Sequence, residues 1–244
     1  RRTPFHRHLV DNGAVMGELA GWERANWYAR TGQNPAYEYS WKRQNFFDNV
    51  KEELAAVRTN VGMYDMSSFG KIRVEGRDAC AFLNHVGGGQ YDVPVGKIVY
   101  TQFLNPRGGI EADVTIIRHS ETEFLVTVGA VARVIVEAHL RRHLGDDRAV
   151  ITDVTVGEAI LAVMGPKARD LLTSISPDDF SNAAMPFGSV REVEVGMGLA
   201  RVHRISYVGE LGWEVCIPSD MAAHVCETLI EAGADHGLQL CGMH

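Results

Sequence analysis

The chain has 244 residues, of which 45% are hydrophobic and 23% charged, and its formal net charge is −7. This composition is ordinary for a soluble globular protein and is long enough to bury a substantial core. No run of Lys and Arg stands out, which argues against a nucleic-acid-binding surface. No apolar segment approaches the ~20 residues of a membrane-spanning helix, so we predict neither nucleic acid nor membrane as a partner.

The cysteine and histidine residues do not form a metal-binding pattern. His6 and His8 are close in sequence but lack the third and fourth ligands that a metal site needs, so no metal is predicted. Single, scattered cysteines are typical of a reducing compartment, which predicts the cytoplasm, or the mitochondrial matrix in a eukaryote. The four cysteines have neither CxxC nor zinc-like spacing: Cys80, Cys216, Cys226 and Cys241.

Residues 1–45 are aromatic and show no clear helix or strand period, so we predict a loop-rich segment that wraps over a core. A single main domain over 46–244 is expected to follow. Its first half predicts a helix over 46–60, a strand over 71–75, a helix over 77–86, a strand over 98–104, a hairpin of 110–118 with 123–128, and a helix over 130–144.

The pattern then recurs. Residues 159–164 predict a buried strand, and Pro166 indicates the first turn of a helix. Residues 190–206 predict two strands, and 213–217 predict another. Ser219 is expected to cap a last helix that runs to about residue 231. Strands in pairs with packed helices predict an α+β fold of antiparallel sheets. We expect at most a weak boundary near residue 150, with both halves sharing one core.

The segment from Tyr100 to Asp113 is the sharpest candidate for chemistry. Tyr100 lies in a predicted strand, Asn105–Gly109 forms a turn by composition, and Asp113 lies early in the return strand. Both side chains are therefore expected to face one cavity, where a buried carboxylate needs a cation or a donor. An ordinary hairpin with a polar turn explains the same pattern.

Two further segments carry candidate residues. In 206–214, Tyr207 precedes a glycine-bracketed turn and Glu214 follows Trp213, and an ionised carboxylate can accept two N–H bonds from a heterocycle. A β-turn with a core tryptophan is the alternative. Ser68 and Phe69 lie in the segment 64–70, which is otherwise a loop with an Asx or Ser turn.

In this order, these segments resemble the aminomethyltransferase (T-protein) family of the glycine cleavage system, together with Val163–Pro166 and Pro186–Gly188. The stretches "YDMSSFGK", "DVPVGKIVYTQFLN" and "YVGELGWE" are similar to the branch found in dimethylglycine and sarcosine dehydrogenases. The resemblance implies a T-protein-like fold that binds tetrahydrofolate in a central channel. It also implies that the chain ends before the family's C-terminal barrel, which supplies further folate contacts.

The resemblance assigns roles to particular residues. Asp113 matches the catalytic aspartate beside the reactive folate nitrogens, and Tyr100 matches a tyrosine that lines the same pocket. Tyr207 and Glu214 match residues that face the folate, the glutamate binding the pterin. Ser68 and Phe69 match a stretch whose backbone touches the folate.

Two departures from the free-standing T-proteins affect a folate-facing loop. They usually have Asp-Asp where this chain has Ala112–Asp113, and Asn-Asp-Val where it has Tyr91–Val93.

The activity implied by the resemblance is tetrahydrofolate-dependent one-carbon transfer from a methylated amine or aminomethyl donor. FAD is expected in a domain outside this chain. The alternatives are a free-standing T-protein, an O- or S-demethylase of the same fold, and a non-catalytic regulatory relative.

Overall fold

The computed structural model describes all 244 residues and divides them into two compact units. Unit 1 comprises residues 1–67, 158–187 and 192–244, and unit 2 comprises 68–157 with 188–191. Unit 2 is therefore an insertion between two parts of unit 1.

Thirteen strands make up the sheets. They are β1 (Ala14–Leu19), β2 (Trp22–Tyr28), β3 (Val61–Asp65), β4 (Gly70–Glu75), β5 (Ile98–Leu104), β6 (Ile110–Arg118), β7 (Glu123–Val128), β8 (Val150–Asp153), β9 (Glu158–Met164), β10 (Val190–Val195), β11 (Gly198–His203), β12 (Gly212–Pro218) and β13 (Leu238–Cys241).

Six helices accompany these strands, with short 3-10 turns at Ala130–Ala132 and Ala234–His236. No helix has the length and apolar character needed to cross a membrane. The helices are α1 (His6–Asp11), α2 (Phe47–Thr59), α3 (Ala79–Val86), α4 (Arg133–His143), α5 (Ala168–Ser174) and α6 (Ala222–Gly233).

The two large sheets share one topology. The five-stranded sheet has the order β5-β6-β7-β4-β8, and the six-stranded sheet has the order β10-β11-β12-β9-β3-β13. In each, a strand and a helix precede a three-stranded meander, and a second helix leads to the last strand. Apart from the inserted β3, the orders are the same, which confirms the predicted recurrence. None of the sheets closes into a barrel.

Each unit has its own hydrophobic core, which corrects the expectation of a single shared core. The larger core belongs to unit 1, where Trp213 is fully buried against Phe180 in an edge-to-face contact. The core of unit 2 includes Phe82, Phe103 and Phe124, all fully buried. Burial of apolar surface on two separate sheet faces stabilises each unit from within.

The predicted α+β class is confirmed, and the hairpin of β6 and β7 has the predicted bounds. Three local predictions were wrong. Residues 1–45 contain α1 and the β1–β2 hairpin. Pro166 precedes α5 by two residues, and α6 begins after Met221 rather than at a Ser219 cap.

Candidate functional site

In unit 2, the hydroxyl of Tyr100 donates a hydrogen bond to Oδ2 of Asp113 over 3.0 Å. The two residues lie on adjacent antiparallel strands, because Tyr100 pairs with Thr115 and Gln102 pairs with Asp113. Their side chains therefore emerge on the same face of the sheet, as the sequence predicts. The hydrogen bond to the Asp113 carboxylate raises the pKa of the Tyr100 phenol.

Burial of Asp113 would have given a physical reason to suspect a functional carboxylate, and the structure does not show such burial. Asp113 is exposed, and 68% of the Tyr100 side chain is accessible. The desolvation cost that would mark a buried charge is therefore absent. The site therefore presents a carboxylate and a phenol that are hydrogen-bonded to each other on an exposed sheet face. A flat ligand can cover this face.

A straight row of polar side chains crosses the same face. Tyr100 pairs with Thr115, Thr115 with Thr127, and Thr127 with Lys71, so the row spans β5, β6, β7 and β4. The Oγ1 atom of Thr127 is buried and has no hydrogen-bond partner. An unpaired hydroxyl in the same row as Tyr100 suits a bound polar heterocycle, because a buried polar atom without a partner is costly.

The segment before β4 is fixed by polar contacts within unit 2. Nζ of Lys71, which is fully buried, donates to the carbonyl of Phe69 over 3.0 Å. Ser68 is buried, and its Oγ has no partner. The Phe69 carbonyl is thus held in place, and the Ser68 hydroxyl remains available for a ligand.

In unit 1, the segment from Tyr207 to Glu214 forms a surface loop that leads into β12. Gly209 has a φ of +82°, which favours glycine at this turn. Nη1 of Arg58 contacts Oε1 of Glu210 over 2.7 Å and fastens the loop to α2. Tyr207 is 58% exposed. Its ring is therefore accessible from the surface.

Glu214 has a different environment from Asp113, since only 6% of it is exposed. It lies directly opposite His203 on the neighbouring strand β11. Oε2 of Glu214 is 3.7 Å from Nδ1 of His203, and Sγ of Cys216 lies 3.6 Å from the same nitrogen. The carboxylate predicted to bind a ligand thus already has a buried imidazole beside it.

The opposite side of β12 carries Trp213, whose ring lies 4.6 Å from the guanidinium carbon of Arg204. Nη1 of Arg204 donates to the Gly212 carbonyl over 3.1 Å. Burial, and secondarily Arg169, lower the pKa of Arg204. This contact joins the residue after β11 to the first residue of β12 and so closes the connection between the two strands.

Sequence reasoning missed His203, Thr115 and Thr127. The two threonines could have been found from the sequence. Thr115 lies two residues after Asp113 on the same predicted strand, so both side chains face the same side of the sheet, and Thr127 lies on the other strand of the predicted hairpin. Nothing in the sequence singled out His203, whose importance depends on burial and on the pairing of β11 with β12.

A cleft of about 570 Å³ lies in unit 1, and none of the predicted site residues lines it. Its walls include the stacked rings of Tyr37 and Tyr39, with centroids 5.6 Å apart, and those of Phe46 and His244, 4.9 Å apart. Tyr37 and Phe46 therefore pack against His244, the last residue of the chain.

The fold matches the aminomethyltransferase T of the glycine cleavage system from Bartonella henselae, with a TM-score of 0.81 at 23% identity. The match covers 100% of this chain and 60% of that one. A heterotetrameric sarcosine oxidase from Corynebacterium sp. U-96 matches 81% of this chain with a TM-score of 0.60 at 16% identity, covering 97% of that chain. At these identities the likeness shows the fold alone.

The profile of the GCVT N-terminal domain matches residues 5–244, and the chain belongs to this family. It is 44% identical, over its whole length, to 4-methylaminobutanoate oxidase (formaldehyde-forming) of Paenarthrobacter nicotinovorans, of which it covers 30%. It is 35% identical to sarcosine oxidase subunit alpha of Rhizobium meliloti, with 100% of this chain and 24% of that protein covered. It is 34% identical to the mitochondrial dimethylglycine dehydrogenase of Mus musculus, with 91% and 26% covered. The chain therefore spans about a quarter to a third of these relatives.

Proposed function

We propose that this chain is the tetrahydrofolate-binding, one-carbon-transfer module of an FAD-dependent, demethylating amine dehydrogenase or oxidase. The observation that carries the proposal is the hydrogen-bonded pair of Asp113 and Tyr100 on an open sheet face, in a chain of the GCVT N-terminal domain family. Relatives named for the oxidation of methylated amines support the proposed parent enzyme.

The residues of unit 2 fit a folate ligand chemically. The exposed Tyr100 ring offers a stacking surface, and the unpaired hydroxyls of Ser68 and Thr127 offer hydrogen bonds to a polar heterocycle. In unit 1, Tyr207 and Glu214 offer a second ring and a carboxylate acceptor. The backbone at Ser68 and Phe69 completes the proposed contacts.

When bound, tetrahydrofolate supplies the amine nitrogens that accept a carbon at the oxidation level of formaldehyde. The protein positions that carbon and protects it from water. The Asp113 carboxylate stabilises positive charge that develops next to it and accepts a proton there. Tyr100 orients Asp113 through its hydroxyl.

The proposal extends to the partners and the compartment. A methylated amine is the small-molecule substrate of the parent enzyme, and FAD binds to a part of that enzyme outside this chain. We propose a cytoplasmic location, or the mitochondrial matrix if the source is eukaryotic, since the dehydrogenases of mouse and human are named as mitochondrial.

Asp113→Asn in the flavin-containing full-length protein tests the proposal. Turnover of the methylated amine in the presence of tetrahydrofolate should yield 5,10-methylenetetrahydrofolate at a rate roughly 10²–10⁴-fold below that of the wild type. Tetrahydrofolate binding, measured by calorimetry, should persist. Glu111→Gln is the matched control, because Glu111 is exposed on the same strand and accepts from Asn105 instead. An unchanged yield of methylenetetrahydrofolate in the Asp113 variant would refute the proposed role.

Release of free formaldehyde is a second candidate, favoured by the name of the 44% identical relative, which is described as formaldehyde-forming. The same assay separates the two, because formaldehyde release that is indifferent to added tetrahydrofolate supports the second candidate. Turnover of a lipoyl-linked aminomethyl donor would support a free-standing T-protein. Failure of the wild-type protein to bind tetrahydrofolate would favour a regulatory relative.

A further inference from the structure

Strands β11 and β12 bring three ionisable side chains together inside unit 1. His203 exposes 1% of its surface, Cys216 3% and Glu214 6%. His203 and Glu214 are direct cross-strand partners, and Cys216 lies two residues further along β12 on the same face. The group is therefore built by the ladder itself rather than by mobile surface side chains.

His203 has two acidic neighbours in this group, the carboxyl group of Glu214 and the thiol of Cys216. Burial opposes a charge on His203, but the neighbouring Cys216 and Glu214 outweigh it and raise the pKa of His203 to about 10. The buried pair is then an imidazolium and a carboxylate, which compensate each other.

The other cations near this point are directed elsewhere. Arg201, on the same strand as His203, contacts Oε1 of Glu158 over 2.8 Å. Arg204 donates to the Gly212 carbonyl and stacks on Trp213. His203 is thus the cation that faces Glu214.

We infer that His203 is a positioning residue for Glu214, which it keeps ionised and oriented as an acceptor for the N–H groups of the ligand. The inference rests on the proposed function, in which Glu214 binds the pterin ring of tetrahydrofolate. Nδ1 of the imidazolium lies 3.7 Å from Oε2 of Glu214, on the strand directly opposite. A carboxylate held on one side by a fixed cation is preorganised for donors on its other side.

Tetrahydrofolate binding to the full-length protein between pH 5 and pH 9 tests this inference. The wild type should bind with nearly constant affinity, because the charged His203 stabilises the carboxylate form of its neighbour Glu214. His203→Gln should weaken binding roughly tenfold at pH 8, the scale of one charge-assisted hydrogen bond. Its affinity should fall further toward pH 5, since burial without a cation favours the protonated carboxyl group. A merely structural role of His203 would not introduce this acid limb.

Cys216→Ala is the matched control, because it removes the other neighbour of His203 and leaves the ion pair. It should bind tetrahydrofolate as the wild type does, with the same pH profile. In a Glu214→Gln background, His203→Gln should have little further effect, since the two changes then remove one shared interaction.

The charge on His203 has a spectroscopic test that needs neither a variant nor a ligand. Nitrogen-15 NMR of histidine-labelled wild-type protein at pH 8 should show both ring nitrogens of His203 protonated. A neutral His203 ring would overturn the inference, and so would wild-type affinity and a flat pH profile in His203→Gln. Neither of these two results would affect the proposed function. Failure of the wild type to bind tetrahydrofolate would overturn both the proposed function and this inference.

Discussion

The hydroxyl of Tyr100 and the carboxylate of Asp113 form a pair in which each changes the other's chemistry. The phenol donates to the carboxylate, and this bond, together with the negative charge, raises the pKa of Tyr100 above its ordinary value of about 10. The carboxylate stabilises the neutral phenol as a donor and disfavours the phenolate. Tyr100 therefore remains a donor over the whole physiological range of pH.

Asp113→Asn should move the pKa of Tyr100 back down toward its ordinary value, because the amide carries no negative charge. NMR of ring-labelled tyrosine, followed from pH 8 to pH 12, measures the change. Glu111→Gln should leave the Tyr100 titration as it is in the wild type, since Glu111 is bound to Asn105. An identical Tyr100 titration in the wild type and the Asp113 variant would show that the hydrogen bond does not exist in solution.

Residue types and spacing were sufficient to place Tyr100 and Asp113 on neighbouring strands, because a hairpin with a short turn fixes which positions face each other. They were not sufficient for His203 and Glu214. These two residues lie on strands joined by the loop 204–211, whose length and shape set the register, and their effect on each other depends on burial. Sequence patterns reveal the periodicity of strands and helices, but they do not reveal that His203 and Glu214 are both shielded from water.

At the scale of elements, the turn after β9 depends on Gly165. Its φ is +137°, a conformation that side chains rarely adopt, and a Cβ atom there would lie 2.4 Å from the carbonyl oxygen of Asn60. The Gly165 amide donates to the Leu211 carbonyl over 2.7 Å. The glycine thus lets the end of β9 approach the end of α2.

Gly165→Ala should lower the free energy of unfolding by roughly 1–3 kcal/mol, the cost of holding a side chain in such a backbone conformation. Urea denaturation monitored by circular dichroism measures this. Gly129→Ala is the control, because Gly129 has a φ of −55° and nothing lies within 4 Å of the added Cβ. Equal stabilities of the two variants would contradict the account of Gly165.

Elements with a clear period were predicted well, and elements defined by distant partners were not. The segment of α2 and the hairpin of β6 and β7 carry their patterns locally. By contrast, β13 has four residues and is a strand because it pairs in parallel with β3, some 177 positions earlier. The β1–β2 hairpin turns at Ala20 and Gly21, which both have a positive φ. This turn was not identified from the sequence, because the aromatic residues around it showed no strand period.

At the scale of the whole molecule, the two separate cores predict that damage in one unit stays local. Phe124→Ala in unit 2 and Phe180→Ala in unit 1 each remove a fully buried ring, at a cost of about 3–5 kcal/mol. Hydrogen exchange measured by mass spectrometry should show faster exchange mainly in β4 to β8 for the first variant. For the second, the faster exchange should lie mainly in β9 to β12. A uniform increase over the whole chain in either variant would mean that the cores unfold as one.

The insertion of unit 2 within unit 1 sets an order of events on the ribosome. All residues of the five-stranded sheet lie between 70 and 153, so its partners emerge close together in time. Strand β3 emerges earlier, yet its neighbours β9 and β13 follow about 100 and 177 residues later. Because contacts distant in sequence are slow to close, the inserted unit should fold first while β3 waits unpaired. All five residues of β3 are buried in the folded protein, but both edges of the strand are exposed during that interval. Because unpaired strand edges promote aggregation, β3 is the part of the nascent chain that most needs a chaperone.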